Sequence, residues 1–319
     1  MTNNESSIMD KIRIPGRRFR IPSRGLFYMD GEIDENVVNG ELEIFPMTTI
    51  DEISLRSPEF LFTGEAIDRV FKRCIPEVNK PLRLLGRDVD FLLACLRVVS
   101  YGGTYQVNTR CPVCEEKQKR KNDLAVTEFL EEVRDKAKKQ NISYEAAMTS
   151  SDVKTRLKTL RNKQSQEHSY DINLEGIIQN NTVNVDDDEF AKYSGTLSNG
   201  QRVQLTPLKL DSSVASYQFQ NDEKTLNLDD MTDYVSFLLA SAIVSVDDET
   251  NREKLTLWAR GLPVKLKKEL NEQLGDSVEW GTNFDYTVKC LNTKCNHERN
   301  ISTLLNPITF FMTPSESVE

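Results

Sequence analysis

Two pairs of cysteines, Cys111-Pro-Val-Cys114 and Cys290-Leu-Asn-Thr-Lys-Cys295, are the residues in this sequence best placed to do chemistry together. A thiolate is a soft ligand, and two turns that each offer two of them satisfy the tetrahedron zinc takes in structural sites. If all four bind, no coordination position stays open for water, so the site holds structure and performs no catalysis. Four thiolates suit iron as well, and zinc is the preferred reading. His297, two residues beyond Cys295, is the substitute ligand if one cysteine is spared; its ordinary reading is a hydrogen-bonded side chain near a turn.

The approaches to the two pairs match. Tyr105, Val107 and Thr109 alternate ahead of Cys111, and Phe284, Tyr286 and Val288 alternate ahead of Cys290, each run ending in a base, Arg110 or Lys289. Period two with β-forming residues on one face predicts two strands, each ending in a metal-binding turn. They are the two halves of a zinc ribbon. Cys114 and Cys290 lie 176 positions apart, where ~15–20 intervening residues are common. The expected fold is therefore α+β: a helical and β-hairpin body around a split four-cysteine zinc ribbon, with an extended N-terminal arm and a helical, polar insertion.

Little else offers reactive chemistry. Cys74 and Cys95 stand alone in apolar segments and read as small buried hydrophobes. The two histidines, His168 and His297, fall in no nucleophile motif, and no phosphate loop, dinucleotide fingerprint or His-Glu-x-x-His is present. Asp186-Asp187-Asp188 lacks the alternating ligand spacing of a calcium loop and reads as a solvated acidic turn. The chain is not expected to be an enzyme.

Charge is distributed unevenly along the 319 residues. The stretch 11–29 carries six basic residues and no acid, so the net charge of −9 leaves −15 on the remainder. Pro15, Gly16, Pro22 and Gly25 keep this stretch extended, and the acidic body can attract it as readily as a partner can. Lys117, Lys119, Arg120 and Lys121 add a second basic cluster after the first cysteine pair, which makes a cytosolic zinc-ribbon nucleic-acid binder the alternative reading. Against it stands the acidic remainder, which repels a phosphate backbone. The polar, acid-containing start predicts no secretory signal, six sparse cysteines suit a reducing cytosol, and the apolar run from Val235 to Val244 is too short to span a membrane.

The elements that must position the cysteines are legible in outline. Leu42 and Ile44 alternate with Glu41 and Glu43 in a half-buried strand, and Ser57-Pro58 supplies a helix-start signal. Ile67, Val70, Phe71 and Cys74 recur at helical spacing, and a helix from Asp88 to about Ser100 stops at Gly102-Gly103. Amphipathic spacing predicts a helix over 123–140, Asn199-Gly200 a hairpin turn, and further helices lie over 231–246 and 263–274. Four regions result: a basic arm over 1–39, a first core half over 40–122, a helical and polar insertion over 123–190 and a second core half over 191–319.

Several segments form an ordered set: Ile21-Pro-Ser-Arg-Gly-Leu-Phe-Tyr28, Gly40-Glu-Leu-Glu-Ile-Phe-Pro46 running on to Glu52, Thr63-Gly-Glu-Ala-Ile67 and Asp90-Phe-Leu-Leu-Ala-Cys95 running on to Gly102. With Cys-Pro-Val-Cys, Val203-Gln-Leu-Thr-Pro207 and the final cysteine pair followed by Phe310-Phe311, this set resembles the baseplate hub assembly proteins of T4-like tailed phages. The resemblance is densest over about 20–115 and sparse over about 130–190. It implies a non-enzymatic part in building the baseplate hub through contacts with other hub and tail subunits, in the host cytoplasm during assembly or within the virion tail, with no small-molecule substrate. On that reading Arg17, Arg18, Arg20 and Arg24 steer the encounter, while Phe19, Leu26, Phe27 and Tyr28 supply buried anchors.

Overall fold

The computed structural model describes residues 14–57, 60, 63–220, 228–275 and 280–302. In chain order, β1 (Arg17–Arg20) and β2 (Glu41–Ile44) precede α1 (Thr49–Arg56), α2 (Glu65–Cys74) and α3 (Gly86–Tyr101). β3 (Thr104–Arg110) leads into the long helix α4 (Pro112–Gln140), followed by α5 (Tyr144–Thr149), α6 (Ser151–Arg161) and β4 (Glu167–Asn173). Next come α7 (Leu174–Asn180), β5 (Thr182–Val183), α8 (Asp187–Ala191), β6 (Ser194–Thr196), β7 (Arg202–Leu205), α9 (Leu210–Gln220), α10 (Leu228–Ser241) and β8 (Ile243–Val246). α11 (Arg252–Arg260), α12 (Val264–Gly275), β9 (Gly281–Thr282), β10 (Asp285–Lys289) and β11 (Glu298–Ser302) complete the order. Helices mix with small, mostly antiparallel sheets, an α+β arrangement. Ser57 closes α1, whereas Pro58 and the first residues of the basic stretch lie outside the described residues.

The described residues divide into two compact units. The larger takes the chain up to Thr104 and again from Asn173 to Phe284; the smaller takes Tyr105–Ile172 and Asp285 to Ser302. The polar stretch 123–190 is thus shared: 123–172 belongs to the smaller unit and 173–190 to the larger.

In the larger unit, α2 buries Ile67, Val70, Phe71 and Cys74, the face its spacing predicts. α3 is buried more widely, with Phe91, Ala94, Cys95 and Val98 added to Val89, Leu92 and Leu96. A helix apolar on more than one face belongs inside a core, and Gly102, at φ 93°, ends it with a backbone turn that a Cβ would strain. The Asn199-Gly200 turn joins β6 to β7 in an antiparallel hairpin, with Gly200 at φ 89°.

The helix expected to run to Val246 stops at Ser241. Ile243, Val244 and Val246 leave it as β8 and pair with β7, Val203 opposite Val246 and Leu205 opposite Ile243. β-branched side chains lose less freedom on a pleated surface than in a helix, so the end of the apolar run is strand. These strands join Phe27, Leu85, Tyr193, Leu239, Leu270 and Trp280 in a continuous buried cluster.

In the smaller unit, α4 begins eleven residues before the predicted 123, because Pro112 sits at the first helical position and Cys111 caps it. The basic cluster Lys117 to Lys121 therefore lies on a helix and not on a ribbon strand. α4 packs on α5 and α6, and the buried Asn122 side chain ties it to the chain beyond α6 by donating to the Lys163 carbonyl at 2.6 Å.

Candidate metal centre

The two cysteine pairs, far apart in sequence, meet in the smaller unit. The Cys111 Sγ lies 3.8 Å from the Cys295 Sγ, the Cys114 Sγ lies 3.7 Å from the Cys290 Sγ, and all four sulfurs fall within 4.8 Å of one another. A disulfide holds its sulfurs at about 2.05 Å, so these are four thiols. A tetrahedral centre with metal–sulfur bonds of about 2.3 Å separates its sulfurs by about 3.8 Å, the spacing found here. The cluster could hold one metal ion.

Local structure delivers each ligand differently. β3 keeps Tyr105, Val107 and Thr109 on its half-buried face and hands the chain to Cys111, whose extended backbone (φ −70°, ψ 126°) caps α4. Cys114 follows in the first turn of that helix. The second pair sits on a hairpin: β10 and β11 are antiparallel, with Lys289 opposite Glu298. The Cys290 N–H donates to the His297 carbonyl at 2.8 Å, and the Cys295 N–H to the Asn292 carbonyl at 2.9 Å. Asn296 takes φ 49°, a left-handed turn asparagine tolerates. His297 thus serves the hairpin through its backbone, and the group within mutual reach consists of the four sulfurs.

The electrostatics are those of a site that asks for a cation. Burial disfavours the Cys111 thiolate, but the backbone N–H groups of Cys114 and Val113 at the helix start and the Cys290 and Cys295 thiols together outweigh it and hold the thiol below its usual range. Burial, reinforced by the neighbouring Cys295 and Cys290 thiols, pushes Cys114 up to about 12. Cys290 is also raised, by burial first. Without a positive centre, Cys114 and Cys290 resist ionisation beside Cys111. Around them, the Asn292 side chain donates to the Cys114 Sγ at 3.5 Å, and Arg299 donates to the Thr109 hydroxyl at 2.7 Å, joining β11 to β3. Asn292 went unread in the sequence, although an Asx residue inside a Cys-x₄-Cys loop is a turn signal.

A family model described as T4 bacteriophage base plate protein matches residues 57–312. The chain belongs to that family. No curated protein and no solved structure matches it. The span matched to the base plate family takes in both cysteine pairs and begins after β1 and β2.

The residues expected to contact a partner therefore lie outside that span, and the structure builds them into the larger unit. β1 pairs antiparallel with β2, setting Arg18 opposite Glu43 and Arg20 opposite Glu41. Arg17 reaches Glu175 at 2.5 Å, Arg18 reaches Glu77 at 3.2 Å, Arg20 reaches Glu41 at 3.9 Å and Arg24 reaches Asp187 at 3.2 Å. Arg17, Arg18 and Arg20 keep exposed flanks, while Arg24 also donates to the Val185 carbonyl. Phe19 is half-buried opposite Leu42. Phe27, offered as an anchor for a partner, is buried in its own chain, edge-on to Tyr193 at 4.7 Å and Phe190 at 5.1 Å and stacked on Trp280 at 5.8 Å. Leu26 and Tyr28 pack on the same cluster.

The Tyr28 hydroxyl donates to Asp88 at 2.6 Å, and the Ser23 N–H donates to the other oxygen of that carboxylate at 3.0 Å. Burial pushes Asp88 up to about 6 despite these two bonds. Asp186 caps α8 by accepting from the Glu189 N–H. No helix among the described residues is long and apolar enough to cross a membrane.

Proposed function

We propose that this base plate family member is a non-enzymatic protein of the baseplate hub, acting in hub assembly through protein–protein contacts. Its smaller unit is held by one structural zinc on Cys111, Cys114, Cys290 and Cys295. The family match over residues 57–312 carries the reading. The four-thiol set supports it, since bound zinc supplies a cross-link between two distant chain segments and leaves no position for substrate. Zinc fits four tetrahedral thiolates without any redox demand on the protein.

Partner contact is made through the exposed flanks of Arg17, Arg18 and Arg20, with Phe19 beside them; Arg24, Leu26, Phe27 and Tyr28 brace that strand from behind. The triple change of Arg17, Arg18 and Arg20 to Glu, co-expressed with the other hub subunits, is expected to leave the chain folded and to abolish its recovery in hub complexes. Hub complexes formed at the wild-type level would sink this assignment. Steep, salt-sensitive retention on heparin that depends on Lys117, Lys119 and Lys121 would instead favour the nucleic-acid reading, because phosphate contacts release counterions.

A further inference from the structure

Donors reach the sulfurs of the four-cysteine cluster by different routes. The buried Cys111 Sγ accepts from the backbone N–H groups of Val113 and Cys114, and the buried Cys290 Sγ accepts from the Asn292 N–H. In both cases the turn that follows the leading cysteine supplies the donor. Cys114 has no such turn. It already lies in the first turn of α4, where the next N–H, that of Glu115, donates to the Cys111 carbonyl at 2.9 Å. Apart from the neighbouring thiols, the donor its half-buried sulfur meets is the side-chain amide of Asn292, at 3.5 Å, from the other cysteine pair's loop.

Asn292 is held in place by the same loop. Its carbonyl accepts from the Cys295 N–H at 2.9 Å, and its Oδ1 accepts from the Lys294 N–H at 3.1 Å. The second bond closes an Asx turn. It also settles which way the amide faces: with Oδ1 taken by Lys294, Nδ2 is the atom left to meet Cys114. One side chain and its backbone thus touch Cys114, Cys290 and Cys295, which come from both pairs.

A divalent ion on four thiolates leaves a doubly negative centre. N–H donors draw off that charge, and a hydrogen bond to an ionised acceptor is about twice as strong as a neutral one. We propose that Asn292 sets the metal affinity of the centre, its side-chain N–H holding the Cys114 sulfur in place as a ligand while its backbone shapes the Cys290–Cys295 loop. The role rests on the zinc reading above and adds to it the positioning residue that joins the two pairs.

Full-length Asn292→Ser and Asn292→Asp variants test it. Both keep an oxygen for the Lys294 N–H and all the backbone bonds, so the turn survives. Ser removes the donor to Cys114, and Asp also sets a negative charge beside the sulfur. Zinc affinity is read by competition with a chromophoric chelator, and iodoacetamide alkylation of the zinc-saturated chain is quantified cysteine by cysteine by mass spectrometry. Expected is zinc binding weakened about tenfold in the Ser variant and about 100-fold in the Asp variant, the span over which partners of metal ligands act. Alkylation should speed up at Cys114 and keep its wild-type rate at Cys111. Faster alkylation of all four cysteines alike would reduce Asn292 to a loop residue and overturn the role. So would unchanged affinity in both variants of a chain whose wild type binds zinc, with the zinc reading left standing. A wild type that binds no zinc overturns the reading and the role together.

Discussion

The two units hold distant stretches of chain by opposite means. In the larger, the segment from Arg17 to Tyr28 is secured by many ordinary contacts: a strand pairing, ion pairs, the buried Asp88 network and Phe27 seated among three aromatic rings. In the smaller, the described buried hydrophobics are Cys111, Val133, Ala137, Leu157, Ile172, Val288 and Cys290. So thin a core cannot by itself offset the conformational entropy of the chain it orders, and a unit of this kind commonly relies on a metal. Redundant packing tolerates the loss of one contact, whereas a four-ligand centre does not.

On the zinc reading proposed above, the strongest way to break this contrast is to remove the metal. Structural zinc contributes about 10–16 kcal/mol of apparent binding energy in small zinc-dependent folds, so Cys290→Ser, Cys111→Ser or a strong chelator should unfold the smaller unit and leave the larger intact. Metal analysis paired with amide hydrogen exchange resolved by segment checks it. The prediction is one zinc per chain in the wild type, none in either variant, and protection lost over 105–172 but kept in α3. Wild-type protein without metal, with the smaller unit still protected, would overturn the dependence.

Next in size is Phe27→Ala, the converse experiment. Deleting a buried phenylalanine costs about 3–5 kcal/mol, so urea unfolding of the larger unit should shift by that amount while metal content stays the same. Metal lost together with that shift would mean that the two units are one cooperative system.

Asp88 sharpens the comparison through pH. Its folded value, about 6, lies above its ordinary 3.8, so between those values the folded chain keeps a proton that the unfolded chain has released. Its contribution to stability is full below pH about 4 and falls as pH rises through about 6. The loss is on the order of 3 kcal/mol at about 1.36 kcal/mol per pKa unit. The stability difference between wild type and Asp88→Asn, measured by urea titration across pH 3.5 to about 7, should follow that slope. A flat difference would show that the carboxylate is solvated. The smallest effect belongs to the Arg18→Glu and Arg20→Glu pair, whose exposed ion pairs contribute less than about 1 kcal/mol. Its melting temperature should hardly move, in contrast to the loss of hub assembly expected of the triple variant.

The meeting of the four cysteines was the most legible part of the sequence because cysteine pairs and alternating approaches are local signals. The start of α4 was not, since its first turns are exposed and charged and carry no apolar period; Pro112 and the high helix propensity of Glu, Lys and Gln were the available cues. β8 was hidden in an apolar run whose spacing fits helix and strand alike. For the basic segment, charge attraction alone could not choose between its own body and a partner, and the choice is carried by register, Arg18 and Arg20 falling opposite Glu43 and Glu41. Burial of Lys209 was unreadable because its partner, Glu32, lies 177 positions away.

The cysteine pairs stand on either side of Asn173–Phe284, about half of the larger unit, and that spacing also sets a schedule for synthesis. Cys111 and Cys114 leave the ribosome long before Cys290 and Cys295 exist, and at about 5–20 residues per second that wait is roughly 10–35 s. On the zinc reading the first pair is throughout that wait a half-made chelate, open to oxidation or to capture by the wrong metal, while 173–284 has time to fold with the chain before Thr104 into the larger unit. Closing the centre is therefore a late event in the life of the nascent chain, and a metal-loaded molecule is one whose translation has already passed Cys295.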